Sequence, residues 1–202
     1  VRKAPVGVGA AITPWNVPLF IAALKLGPAM LTGCTVVLKP APETPLDSYL
    51  LAEAAIEAGV PEGVINIVPA GRETGEYLVN HPAIDKVSFT GSTAAGMRIG
   101  ELCGGQLKRC TLELGGKSAA IVLDDADVGQ VLKSLVPYSM PITGQVCFSL
   151  TRVLVPESRK GELLDAYVGA VKTVKVGDPQ DPATQMGPLA MKRQLERVQG
   201  YI

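Results

Sequence analysis

The run TGQVCFSL, Thr143 to Leu150, places Cys147 directly after Gly144-Gln145-Val146 and before a β-like stretch. A cysteine in an α/β protein is commonly a small buried hydrophobe, and a cysteine whose thiolate is accessible is a nucleophile. The residues around Cys147 are compatible with either. The other three cysteines, Cys34, Cys103 and Cys110, are expected to be packed in that way, Cys34 where it opens a strand. No CxxC pair occurs, so four cysteines in 202 residues do not make a disulfide framework. The chain has a single histidine, His81. A His-rich metal centre is therefore impossible, and any Cys-His or Ser-His relay would have to run through His81, whose setting NHPAID reads as a polar turn. No metal site is expected.

Glycine loops give no nucleotide fingerprint. GVGAAI lacks the third glycine of the dinucleotide motif, GSTAAGMR lacks the Lys and Ser/Thr that complete a P-loop, and GGKS has Thr111 where the first glycine would stand. What remains is Gly91-Ser92 at a strand-to-helix junction, where free N–H groups and the helix dipole can hold a phosphate.

The elements that would carry these residues alternate regularly. Strand-like runs at 7–13, 34–40, 64–68, 86–90 and 108–114 are separated by helical patterns, and a further run at 118–123 follows the last of them directly. The helix over 18–31 is expected to break near Gly27-Pro28, and the next is expected to be capped by Thr44, opened by Pro45 and ended by Gly59. From Asp124 a helix, the cysteine segment, a strand (LTRVLVP), a helix and a Pro/Asp-rich loop follow, and residues 189–202 read as a further helix. This order predicts an α/β fold: a Rossmann-like, mainly parallel sheet with flanking helices, followed by the start of a second α/β domain. Ligands of such sheets sit beyond the carboxyl ends of strands. Trp15-Asn16, Lys39, Gly91-Ser92 and Glu113 all fall at or just after strand ends.

TPWNVP (13–18), LKP (38–40), FTGST (89–93), LELGGKS (112–118) and GQVC (144–147) occur together, in this order. This set resembles the aldehyde dehydrogenase superfamily, from about Arg2 to the last residue. The resemblance implies that Cys147 is the nucleophile and that Asn16 donates to the oxyanion beside the Cys147 N–H. It implies that Glu113 is the general base for thioester hydrolysis and that Lys25 supports proton handling. For the cofactor it implies that Lys39 meets the adenosine ribose, that Gly91 and Ser92 face the pyrophosphate, and that Ile12, Pro14 and Trp15 line the adenosine side. Glu113, Leu114 and Gly115 are implied near the cofactor as well. The domains implied are 1–116, cofactor-binding and lacking its N-terminal part, and 117–202, a partial catalytic domain. The chain is thus expected to be part of a longer protein and inactive when isolated.

Two departures stand out. The family usually has Glu three residues after the cofactor lysine, favouring NAD over NADP; here that position is Pro42, with Glu43 one place later. NAD is still expected, with NADP open. The family also commonly has Asn two residues before the Gly of the Gly-Gln-x-Cys motif, and here that residue is Ile142. The function implied is NAD(P)-dependent oxidation of an aldehyde to an acid through a Cys thiohemiacetal and thioester. A CoA-acylating relative is the alternative, against which Glu113 argues, and a catalytically silent binding piece is another. The partner expected is a small-molecule aldehyde, in a parent that is a dimer or tetramer. Equal numbers of basic and acidic residues, 19 each, offer no electrostatic footprint for nucleic acid or a membrane surface. With no long apolar run and a Pro/Gly-broken start, a cytoplasmic location is expected.

Overall fold

The computed structural model describes residues 4–202. The chain divides into two compact units, the first ending at Gly115 and the second Gly116–Ile202.

Five strands form the sheet of the first unit: β1 (Val8–Ile12), β2 (Thr35–Lys39), β3 (Ile65–Ile67), β4 (Lys86–Thr90) and β5 (Arg109–Glu113). All pairs are parallel, in the order β3-β2-β1-β4-β5. The connecting helices are α1 (Pro18–Leu31), α2 (Leu46–Glu57), α3 (Arg72–Asn80) and α4 (Thr93–Gly105). Side chains alternate across each strand, so each face collects its own core. Ala11, Val36 and Leu38 pack with Ala22 and Leu26 of α1, and Leu51 of α2 joins from the edge. Ala10, Ile12, Val87 and Phe89 face the other way, against Val79 of α3 and Ile99 and Cys103 of α4. The mainly parallel sheet with helices on both faces follows the sequence pattern.

Three details differ from it. First, α1 does not break at Gly27-Pro28 but runs to Leu31 with Pro28 inside. Leu26, Ala29 and Met30 continue the stripe that Ala22 begins, and that packing outweighs the one hydrogen bond Pro28 cannot make. Second, Thr44 does not cap α2: Pro45 takes the N-cap position, which leaves the buried Thr44 Oγ1 one residue too early and without a partner. Third, Cys110 is exposed, because β5 is the sheet's edge. Cys34 and Cys103 are buried. Gly59 does end α2. Its φ of +73° lets the chain turn back so that Gly59 and Val60 N–H groups reach the Ile56 and Ala55 carbonyls at 3.0 and 2.9 Å.

In the second unit β6 (Ser118–Ile121) and β7 (Leu150–Leu154) pair in parallel. Helix α5 (Val128–Ser139) opens on Asp127, whose Oδ1 accepts from Gln130 N at 2.8 Å. A single turn, α6 (Pro141–Gly144), leads to the cysteine segment. Helix α7 (Lys160–Lys172) packs on α5, where Tyr167 donates to Ser139 Oγ at 2.7 Å. Arg159 ties the loop before α5, donating to the Asp124 and Ala126 carbonyls. The terminal helix α8 (Lys192–Gln199) is shorter than its sequence pattern, starting after the loop that contains Gly187-Pro188. No helix among the described residues is long and apolar enough to cross a membrane.

Candidate active site

The ladder of the first unit aligns most of the candidate residues. Ile12 is in register with Lys39 on one side and Phe89 on the other, and Phe89 with Leu112. The carboxyl ends of four strands therefore end in one row. Beyond it, Thr13 N donates to Lys39 O at 3.2 Å and Gly91 N to Glu113 O at 3.0 Å, extending the alignment into the loops. The strand order reverses between β1 and β4, which is where a doubly wound sheet opens its ligand crevice.

Lys39 is 5% exposed, and its ammonium donates to the carbonyls of Pro40 (2.9 Å) and Ala70 (2.8 Å). Burial lowers its pKa, and Glu43, which lies within electrostatic reach, opposes that shift. An ammonium has three N–H donors, so one remains beyond these two. Ser92 caps α4, its Oγ accepting from Ala95 N at 3.3 Å, and its carbonyl takes Gly96 N at 2.9 Å. The amides of Thr93 and Ala94 in the first turn are left for another acceptor. Gly91 must stay small: a methyl there would sit 2.6 Å from the Phe89 ring. Pro14, Trp15 and Asn16 are half-buried in the loop after β1, whereas the Ile12 side chain lies in the core and offers only its backbone. Leu114 packs against the core cluster beneath β4 and β5, and Gly115 is exposed.

On the α1 face of the sheet a polar group gathers. Lys25 Nζ donates to Ser88 Oγ at 3.0 Å. Desolvation brings the Lys25 pKa down from 10.5 to about 8, with Glu113 pulling it up and Lys86 pushing it down. Thr90 is two residues from Ser88 and in register with Glu113, so all three side chains emerge on that face. Thr90 Oγ1 is buried and has no partner. Neither Ser88 nor Thr90 stood out in the sequence, although Thr90 lies inside FTGST.

In the second unit, Cys147 is exposed at a tight turn. Ser149 N (3.2 Å) and Ser149 Oγ (2.7 Å) both donate to Val146 O. Among the described residues no acceptor takes the Cys147 N–H. The turn α6 before it is left-handed: φ is +48° at Ile142, +58° at Thr143 and +73° at Gly144. Gln145 and Thr143 tether this turn to the loop ahead of α8. No group of three or more His, Cys, Asp or Glu residues is placed to hold a metal ion among the described residues.

Known proteins match this chain over its whole length. The profile of the aldehyde dehydrogenase family matches residues 1–202. The chain belongs to the aldehyde dehydrogenase family. It is 54% identical to geranial dehydrogenase of Castellaniella defragrans over 202 residues, all of this chain and 42% of that protein. It is 42% identical to betaine aldehyde dehydrogenase of Rhizobium leguminosarum over 201 residues, 41% of that protein. The crystal structure of a Mycobacterium tuberculosis aldehyde dehydrogenase complexed with NAD+ superposes with a TM-score of 0.94 at 51% identity, over 98% of this chain and 41% of that one. The NAD+ complex of a Bacillus cereus aldehyde dehydrogenase gives a TM-score of 0.95 at 44% identity, over 99% and 41%. The chain thus spans about two-fifths of the length of these relatives.

Two predictions come from this geometry. Ile142 is β-branched, 52% exposed and left-handed, a conformation that costs an L-residue about 1–2 kcal/mol and that Asn adopts far more readily. Ile142→Asn should therefore raise the unfolding midpoint in urea, with a gain of about 1 kcal/mol. Lys25 carries a lowered pKa in the folded state, so the unfolded chain binds more protons between about pH 8 and pH 10.5. The protein should gain stability relative to Lys25→Met as pH rises through that window. A difference that stays flat with pH in urea titrations would contradict it.

Proposed function

We propose that the whole protein oxidises an aldehyde to the carboxylic acid with NAD as acceptor, and that the acyl group passes to water. The observation that carries this reading is Cys147: it is accessible, held on a turn closed by Ser149, and its N–H is uncommitted. A thiolate there adds to the aldehyde carbonyl to give a thiohemiacetal, and oxidation leaves a thioester on the same sulfur. The Cys147 N–H and the Asn16 side-chain amide are assigned to the oxyanion. Glu113 is assigned as the base that takes a proton from the hydrolytic water. Lys25, titrating near pH 8, can pass protons at working pH, and Ser88 orients it.

The first unit's residues fit a dinucleotide. The buried Lys39 has a donor to spare for ribose hydroxyls, and the Thr93 and Ala94 amides in the first turn of α4 are uncommitted. Bound there, NAD supplies the hydride acceptor. Pro14 and Trp15 are assigned to the adenosine side. Pro42 has no carboxylate to receive the 2′-hydroxyl. Glu43, whose charge acts on Lys39, supports NAD over NADP because it would repel a 2′-phosphate.

In the full-length protein, Cys147→Ala should remove aldehyde oxidation. Glu113→Gln should still acylate but stall, so that mass spectrometry finds the acyl adduct on Cys147; turnover unchanged in Cys147→Ala would refute the assignment. Glu43→Gln should raise kcat/KM for NADP by about 5- to 10-fold, as expected when a single charge repulsion of about 1 kcal/mol is removed. Titration with both cofactors reads this directly, and an unmoved NADP/NAD ratio would reassign the selectivity to other residues.

A further inference from the structure

We infer that Gln145 is a positioning residue: its carboxamide locks the left-handed turn that aims Cys147. The inference rests on the reading of Cys147 as the nucleophile. Three successive residues with positive φ, two of them β-branched, are not what this sequence prefers locally. Such a turn persists only where its surroundings over-determine it, and strain of this kind clusters at functional sites.

The contacts that hold it are specific. Gln145 Nε2 donates to Ile142 O at 3.0 Å, and Gln145 N donates to the same carbonyl at 3.2 Å. Gln145 Oε1 accepts from Ala190 N at 3.1 Å. Thr143 Oγ1 donates to Gly187 O at 3.2 Å. The turn is thus closed on itself and fastened to the segment ahead of α8. Ile142 O can only accept and Ala190 N can only donate, so the carboxamide has one orientation and serves as donor and acceptor at once. Glutamate keeps the acceptor and loses the donor. Leucine loses both.

The consequence reaches the sulfur through two residues. Val146 is buried, and its carbonyl is held by both Ser149 donors. The peptide between Val146 and Cys147 is planar and trans, so fixing Val146 O aims the Cys147 N–H the opposite way. Ser149 fixes that peptide from the far side, and Gln145 fixes where it begins. Without the carboxamide, the strained turn is free to relax toward negative φ, and the origin of the Val146–Cys147 peptide moves with it. Displacement of a reacting group by about 1 Å can cost on the order of a hundredfold in rate.

The test uses the full-length protein with Gln145→Leu and the near-isosteric Gln145→Glu. Steady-state kinetics and the rate of iodoacetamide alkylation at Cys147, followed by peptide mass spectrometry, are measured together with urea unfolding. In Gln145→Leu, kcat should drop by roughly 10- to 100-fold with the aldehyde KM within about threefold, and alkylation should slow by about tenfold or more. Gln145→Glu should lie between the wild type and Gln145→Leu, and it decides the matter if the leucine variant does not fold. A Gln145 variant that is less stable yet keeps kcat and alkylation within about twofold of wild type would show a merely structural role and overturn the inference. If the wild type does not oxidise aldehydes, or Cys147→Ala remains active, the functional reading is what fails. Alkylation at Cys147 then decides the positioning role without turnover: slowed in the variants, it stands; unchanged, it falls.

Discussion

The parallel ladder of the first unit is the constraint on which its chemistry depends. Hydrogen-bond register in a parallel sheet leaves no freedom in where the strands end. Once Ile12 pairs with Lys39 and Phe89, and Phe89 with Leu112, four strand ends stand in one row. The order β3-β2-β1-β4-β5 then decides where the row opens. The crossover helices leave β1 and β4 in opposite directions, and their diverging starts uncover the strand ends between them. Lys39, the Ser92 cap and the polar face of Ser88, Thr90 and Glu113 stand at or just beyond strand ends that main-chain bonds align, and the side-chain bonds of Lys25 to Ser88 and of Lys39 to Ala70 O are added to that frame.

Cys147 is positioned by a different device. No strand carries it, and its place depends on side-chain hydrogen bonds that hold a turn against its own preference. The two devices suit two demands. A crevice for an extended ligand tolerates small displacements, because many contacts share the binding. A nucleophile, the role proposed for Cys147, has one angle of approach, and in that role its backbone N–H would point at the same oxygen that its sulfur creates. A tight turn closed by Ser149 on one side and Gln145 on the other meets that demand with few residues.

Much of the fold was legible because its signals are local. Apolar runs of strand length, Pro45 and Gly59 near the ends of α2, and the alternation of strand and helix all act within a few residues. The five motifs in order carried the family. What was not legible depended on partners distant in sequence. Pro28 reads as a helix breaker until the packing of Leu26 and Met30 is known. Thr44 is the exception, misread for a local reason: the adjacent Pro45 takes the N-cap position. Cys110 sits in a strand that reads as buried, and only the strand order reveals that it is an edge. Ser88 and Thr90 gain meaning only from Lys25 on α1 and Glu113 on β5, and Gln145 only from Ala190, 45 positions away.

Ile142 joins the local and the distant. The residue that suits a left-handed position is Asn, and in the sequence alone Ile142 is simply an apolar residue where the family commonly has that polar one. The backbone gives it another meaning: the change is one of conformational cost, at a site where the side chain is largely exposed and packs little. A turn whose residues are less suited to its shape leans harder on its tethers. The same strain that lowers stability therefore raises the weight carried by Gln145 and Thr143, so the geometry of Cys147 rests less on local preference than on the loop at Gly187–Ala190.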